Sequence, residues 1–427
     1  LTRSSLRSKA ITNKIKTYFT MFLAKEEDGE IADNVELLPL RVDLAGTNIA
    51  GTAEEITSDI ILPESRIPST PEVGTKSNSG DMPTEWNIDE QDDLFEGVFC
   101  GEWQTDENNP NKKTLTLGDE VKSFSLLKYY AQKPQAWQLF VNEYINQLTI
   151  DFATDSFVKL TWNVMGANNP KKVFEDPLAS KNPVYKPSLR TKSYLTKTGF
   201  LKIGDSIDTL APLRQCPSMN ITINNNLERT PALFEDDSIE NSLGNFDVSG
   251  TLDVYNVDDI GHELYNDAVD GKDKVIQIQL ARAVDGVTTS YTLTLNVHLS
   301  APTESRNGNK LQFSVGFTLN DDENLSLVKE VSGLKVSAEK PVISVSLADV
   351  SCNVGDDISL DATATVGDSG KLSYSWTKDG EEVGKSAVYK PSTAAAGTSE
   401  YKVAVTNTLG KSTAKSEKTV KVVVSEA

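Results

Sequence analysis

Between residues 246 and 319 apolar and polar positions alternate with a period of two. Phe246, Val248, Gly250, Leu252 and Val254 alternate with Asp247, Ser249, Thr251, Asp253 and Tyr255. Ile276, Ile278 and Leu280 alternate with Gln277 and Gln279, and Tyr291 through Leu299 alternate with Thr292, Thr294, Asn296 and His298. Leu311 through Leu319 repeat the scheme after an Asn307-Gly308-Asn309 turn. Each run predicts a strand with one buried and one polar face. Asp258 or Asp259 caps a short helix with Ile260, Leu264 and Ala268 at helical spacing, and Gly271 ends it. Residues 206 to about 325 therefore read as an antiparallel sheet with one helix.

Residues 1 to about 205 repeat this plan with little residue identity. Ser58 to Leu62 corresponds to Met219 to Ile223, and Gly80 corresponds to Gly244. Met82, Trp86 and Ile88 alternate with Glu85, Asn87 and Asp89, and Asp92-Asp93-Leu94-Phe95 matches Asp258-Asp259-Ile260. Leu148, Ile150 and Phe152 then Val158, Leu160, Trp162 and Val164 mark two further strands, with Lys159 and Thr161 on the polar side. The repetition reads as a diverged internal duplication. Each copy is expected to hold a long loop, at 63–80 and 224–244, and loops of that length are usually functional.

From Pro341 onward short strands are expected over 342–347, 358–364, 372–376, 401–405 and 419–424, with an Asp379-Gly380 hairpin turn. This segment resembles a bacterial immunoglobulin-like β-sandwich. Trp376 fits the family's core tryptophan and Tyr401 its tyrosine corner. Leu360 and Val403 stand where the family's bridging cysteines would be.

Composition narrows the chemistry. The chain has 427 residues and a net charge of −20, from 42 Lys and Arg against 62 Asp and Glu. Residues 341–427 carry 11 acids and 9 lysines, so nearly all the excess acid lies earlier. That balance argues against a nucleic-acid grip, which needs a basic stripe. Two histidines, His262 and His298, leave little room for histidine-based triads or metal sites. Cys100, Cys216 and Cys352 are far apart and read as free thiols. No nucleotide, zinc-protease or nucleophile-elbow motif stands in a suitable context. Carboxylate clusters such as Asp258-Asp259 and Asp321-Asp322-Glu323 read as caps and turns. No cofactor or metal is expected, and no apolar run approaches the roughly 20 residues needed to span a bilayer. The N-terminus lacks the continuous apolar run of a signal peptide, and Leu1 as first residue suggests a processed or truncated chain.

Four passages resemble the tail tube proteins of long-tailed bacteriophages. They are Tyr18 to Gly29, Ile56 to Arg66, Gly80 to Phe95, and Phe140-Val141-Asn142-Glu143-Tyr144-Ile145-Asn146-Gln147-Leu148-Thr149-Ile150 followed by 158–166. The second block repeats the family plan through Val248 to Leu252 and Tyr291 to Leu299. The resemblance implies a mainly β chain that is not an enzyme. Two tandem tail-tube-type sheet domains, 1–205 and 206–330, would join into a ring-closed β-barrel. A linker at 331–340 would lead to the immunoglobulin-like domain at 341–427.

It further implies trimeric, pseudo-sixfold rings stacked into a tube that viral DNA traverses without specific binding. The lumen would be lined by Glu85, Asn87, Asp89, Lys159, Thr161, Asp247, Thr251, Asp253, Gln277, Gln279, Thr292 and Thr294. Inter-ring loops would present Arg66, Pro71, Glu72, Lys76, Glu228, Arg229, Glu235, Asp236 and Asp237. Partners would be other copies of the chain, the tail tape-measure protein, and the terminator and tip proteins. The outer domain would touch the host surface weakly. The tail would be assembled in the host cytoplasm. The alternative reading is a cell-surface or secreted adhesin carrying an immunoglobulin-like module.

Overall fold

A computed structural model describes residues 19–426, except 28, 58–70, 132–133, 167, 189–190, 231, 235–239, 257–258, 333–338, 345, 368–369 and 410–411. Two compact units result, Leu1–Ser332 and Gly333–Ala427.

In the first unit, strands β1 (Thr20–Lys25), β2 (Glu36–Leu40), β3 (Ala50–Ile56) and β4 (Glu72–Glu85) precede helix α1 (Asp92–Phe99). Strands β5 (Gln104–Thr105), β6 (Lys112–Thr116), β7 (Ser123–Tyr130), β8 (Ala136–Ala153) and β9 (Lys159–Gly166) follow. After β10 (Val184–Tyr185), β11 (Gly199–Gly204) and β12 (Ala211–Pro212) come β13 (Ser218–Asn224) and a small hairpin of β14 (Glu228–Thr230) and β15 (Glu240–Ser242). Then follow β16 (Asp247–Tyr255), helix α2 (Asp259–Val269), β17 (Asp273–Val284), β18 (Val287–Leu299), β19 (Thr303–Asn307) and β20 (Lys310–Ser332).

One strand order occurs twice. In the first half the antiparallel neighbours run β3, β4, β9, β8, β7, with α1 between β4 and β7 in the chain. In the second they run β13, β16, β20, β18, β17, with α2 between β16 and β17. The halves join because β8 outruns its hairpin partner. Its first part pairs with β7, while Gln147 to Ala153 pair with all seven residues of β13. A ten-strand antiparallel path therefore runs β3-β4-β9-β8-β13-β16-β20-β18-β17-β11.

The period-two reading accounts for the core. Met82, Trp162, Leu148, Ile221, Leu252, Val315, Leu295 and Ile276 are buried in one continuous cluster with α1 residues Leu94, Phe95, Val98 and Phe99. Trp86 and Trp162 are core side chains, each touching Phe95. A second cluster of Phe22, Leu37, Tyr129 and Trp137 packs around β1, β2 and β7.

Several expectations change. The strand that holds β13's place in the first half is β3, at Ala50–Ile56; the expected strand at 58–62 lies outside the described residues. The expected loop at 63–80 is strand from Glu72 onward, because β4 continues past the sheet body as a hairpin arm with β3. The expected loop at 224–244 holds the β14–β15 hairpin. The final strand does not stop near 319 but runs to Ser332, pairing with β18 and β6.

In the second unit a five-stranded sheet is built from Val350–Asn353, Ser412–Ser425, Gly397–Leu409, Lys371–Lys378 and Glu381–Gly384. Two-stranded pairings Val342–Ile343 with Ala364–Thr365, and Leu360–Asp361 with Val388–Tyr389, complete it. Asp379 and Gly380 both take positive φ, as a tight hairpin turn between Lys378 and Glu381 requires. Leu360, Trp376, Tyr401 and Val403 are all buried in its core, and Tyr389 lies against both Trp376 and Tyr401.

Candidate functional site: the polar sheet face and its edges

Directly opposed residues of an antiparallel pair lie on the same face, so register alone traces the surface opposite the core. One row runs Pro83, Thr161, Thr149, Thr222, Ser249, Thr318, His298, Asp273, across eight strands. A second runs Glu85, Lys159, Asp151, Asn220, Thr251. A third runs Asp81, Asn163, Gln147, Asn224, Asp247. Side-chain hydrogen bonds knit the rows. Asn163 Nδ2 donates to Asp81 (2.8 Å), Ser218 Oγ to Asp253 (2.6 Å), and Gln279 Nε2 to Thr292 (3.1 Å). Gln277 opposes Thr294, and Lys202 opposes Gln277.

Ten of the twelve residues expected on this face are on it: Glu85, Lys159, Thr161, Asp247, Thr251, Asp253, Gln277, Gln279, Thr292 and Thr294. Asn87 and Asp89 are not, because β4 ends at Glu85. Asn87 is buried with its Oδ1 2.7 Å from Ser193 Oγ. Asp89 adopts a left-handed φ and pairs with Lys329 beside Asp92. In these rows and beside them Asp81, Glu85, Asp151, Asp247, Asp253 and Asp273 outnumber Lys159 and Lys202.

The loop residues divide. Arg66, Glu235, Asp236 and Asp237 lie outside the described residues. Pro71 is exposed just before β4, while Glu72 and Lys76 sit within β4 opposite Ile56 and Ala53. Glu228 is exposed on β14. Arg229 turns inward instead: its Nη2 donates to Asn78 O (2.5 Å). It joins a polar cluster that the sequence pattern did not reveal. There Asn78 Nδ2 donates to Glu143 Oε1 (2.7 Å), and Glu143 is fully buried. Burial pushes the Glu143 carboxyl up to about 8, despite the Asn78 hydrogen bond and the nearby Arg229 and Lys128 charges. Burial likewise pulls Lys128 down to about 8, with its Nζ on Ile49 O. A charged residue interrupting the β8 alternation was the available signal.

Two more features went unread. At the tip of the β14–β15 hairpin Leu233 is 85% exposed and Phe234 wholly so. At the other end of β13 lies an apolar depression of about 550 Å³. Among the described residues no three His, Cys, Asp or Glu are grouped to hold a metal ion, and no helix is long and apolar enough to cross a membrane. Cys100, Cys216 and Cys352 are free thiols.

The described residues thus present a polar face shared by eight strands, with hairpin arms projecting beyond it. The sequence profile of the phage tail tube protein family matches residues 20–319. That is more than half of the chain, which therefore belongs to this family as a structural subunit of a phage tail tube, a self-assembling virion component. No individual curated protein matches it.

Proposed function

We propose that three copies form a ring in which six tube-type sheets, two per chain, close a β-barrel around a lumen. The single observation that carries this is the β8–β13 seam. It joins the first half's sheet to the second's over seven residue pairs, so one sheet-to-sheet junction already exists within the chain. Among the described residues β3 pairs only with β4, which leaves its outer edge as a junction for the next chain. Edge pairing of this kind removes the exposed ladder that would otherwise recruit strands at random. The domains are then 1–205 and 206–330.

The polar face lines the lumen. Its carboxylates repel phosphates, and Thr, Ser, Asn and Gln offer weak, exchangeable contacts, so DNA passes without being held. Lys159 is flanked across the sheet by Glu85 and Asp151, so its charge stands among acids. The tape-measure protein occupies the lumen before ejection, terminator and tip proteins cap the tube ends, and assembly takes place in the host cytoplasm. The unit from 341 is an immunoglobulin-like sandwich on the outside, making weak host-surface contacts. Its Trp376–Tyr389–Tyr401 core supports that assignment.

Electron microscopy of the assembled protein tests the reading. Stacked rings with threefold symmetry and an acidic bore are expected. A chain that stays monomeric under all assembly conditions, or a bore of net positive potential, overturns it.

A further inference from the structure

The apolar depression and the exposed apolar tip lie at opposite ends of one strand. Phe152, Phe200, Leu201, Leu213, Met219 and Leu280 line the depression, where β8 ends and β13 begins. Residues of β11 and β17 line it together with residues of β8 and β13, and core side chains such as Phe152, Leu213 and Met219 form part of its wall. Its volume of about 550 Å³ is in the range that holds a small ligand or a pair of large side chains. Leu233 and Phe234 stand past the other end of β13, on the β14–β15 hairpin. That hairpin is tethered at its base by Arg229 to Asn78, which pairs with Gly166 at the far end of β9. Seven residues of strand alone separate the two ends by roughly 20 Å.

We propose that Leu233 and Phe234 of one copy insert into this depression on a second copy in the next ring. The inference rests on the tube reading above and gives it a specific stacking contact. Two observations select a second copy as the occupant. The complementary features lie at opposite ends of one strand, so the contact joins two different surfaces head to tail, the type of interface that builds an open filament where its rotation does not close a ring. The charges also match: Lys197 and Arg214 stand at the rim beside a lone Asp155, whereas Glu235-Asp236-Asp237 follow Phe234 in sequence. An apolar anchor seated in a pocket is the arrangement in which a few side chains carry most of an interface.

The test uses the full chain. Phe234→Asp alters a wholly exposed residue, so its melting curve should match wild type. The yield of sedimentable tubes should fall at least about tenfold, as expected when an anchor becomes a charge. In a Cys216→Ser background that keeps Leu233 and Phe234, Ala232→Cys with Arg214→Cys should give, on oxidation of tubes, covalent ladders that neither single variant forms. Wild-type tube yield from Phe234→Asp, or intact tubes of the double variant without ladders, overturns the proposal while leaving the tube reading in place. Tubes that survive Phe234→Asp but not removal of residues 1–18 assign the depression to the chain's own N-terminal segment and also overturn it. A wild-type chain that never forms tubes overturns both readings.

Discussion

Tyr291 donates its hydroxyl to Asp92 Oδ1 at 2.5 Å, across 199 positions of sequence. Asp92 opens α1 in the first half, and Tyr291 lies on β18 in the second. Lys329 of β20 binds the same carboxylate and that of Asp89. Burial opposes the Lys329 charge, but Asp92 and Asp89 outweigh it and hold its pKa above the usual lysine range. Tyr291 also packs against Trp86, Phe95 and Trp103. The two halves are thus joined by a polar knot inside an aromatic cluster as well as by the β8–β13 ladder.

Asp92→Asn should lower stability by about 2–4 kcal/mol, because it removes one partner of a largely buried lysine and leaves the other charge under-compensated. Paired with Tyr291→Phe in a double-mutant cycle, the two changes should couple by more than about 0.5 kcal/mol, since both act on one carboxylate. Denaturant unfolding measures both; additive effects would show that Tyr291 contributes by packing alone. The Lys329 contribution is full below its unfolded value of 10.5 and is lost only as pH rises through its higher folded value.

Glu143 makes stability depend on pH in the physiological range. Its folded value of about 8 exceeds the ordinary 4.5, so the folded state holds the proton more tightly. Its contribution is fully present below 4.5 and is lost as pH rises through about 8. Glu143→Gln retains an acceptor for Asn78 Nδ2 and cannot ionise. Its melting temperature should exceed wild type near pH 9, by a few kcal/mol in stability, and the gain should vanish near pH 5. A gain independent of pH would place the effect elsewhere.

Gly80 interrupts β4 with φ +157, and a Cβ there would lie 2.6 Å from Ile49 Cα. Gly80→Ala should therefore cost about 1–3 kcal/mol, from a disfavoured backbone and a backbone clash that no rotamer relieves. Thermal denaturation decides it. Gly286, at a turn with open space around it, is the control for strain without a clash.

Reversing charge on the polar face separates fold from conduit. Asp151→Lys with Thr251→Lys changes two exposed positions in one row, so stability should move by less than about 0.5 kcal/mol each. Tubes should still assemble, and DNA ejection should slow at low salt and recover as salt rises, because added lysines bind phosphates with counterion release. Ejection kinetics that ignore both charge and salt would remove this face from the lumen.

The second unit should respond independently. Trp376→Ala empties a fully buried site and should cost about 3–5 kcal/mol within that unit. Calorimetry of the full chain should show one transition lowered and the transition of residues 19–332 unchanged. A uniform shift of all transitions would mean that the units unfold together.

Sequence by itself determined, for most positions of the strands whose alternation it marked, which side chains face the core. A strand's period of two depends only on local backbone geometry, so Val248, Leu252 and Val254 separate from Asp247, Thr251 and Asp253 without knowing the neighbours. It also determined both helices, the Asp379-Gly380 turn and the aromatic core of the second unit. Ten polar-face residues followed from that same periodicity. Asn87 and Asp89 did not, because a strand's end is set by partners, and β4 loses β9 after Glu85. Tertiary structure alone decided that β8 is long enough to take β13 beside β9, that β3 holds in the first half the place in strand order that β13 holds in the second, and that Arg229 turns inward to Asn78. It alone set Leu233 and Phe234 at one end of β13 and an apolar depression at the other. Each of these is a pairing between segments far apart in the chain, and periodicity carries no information about partners.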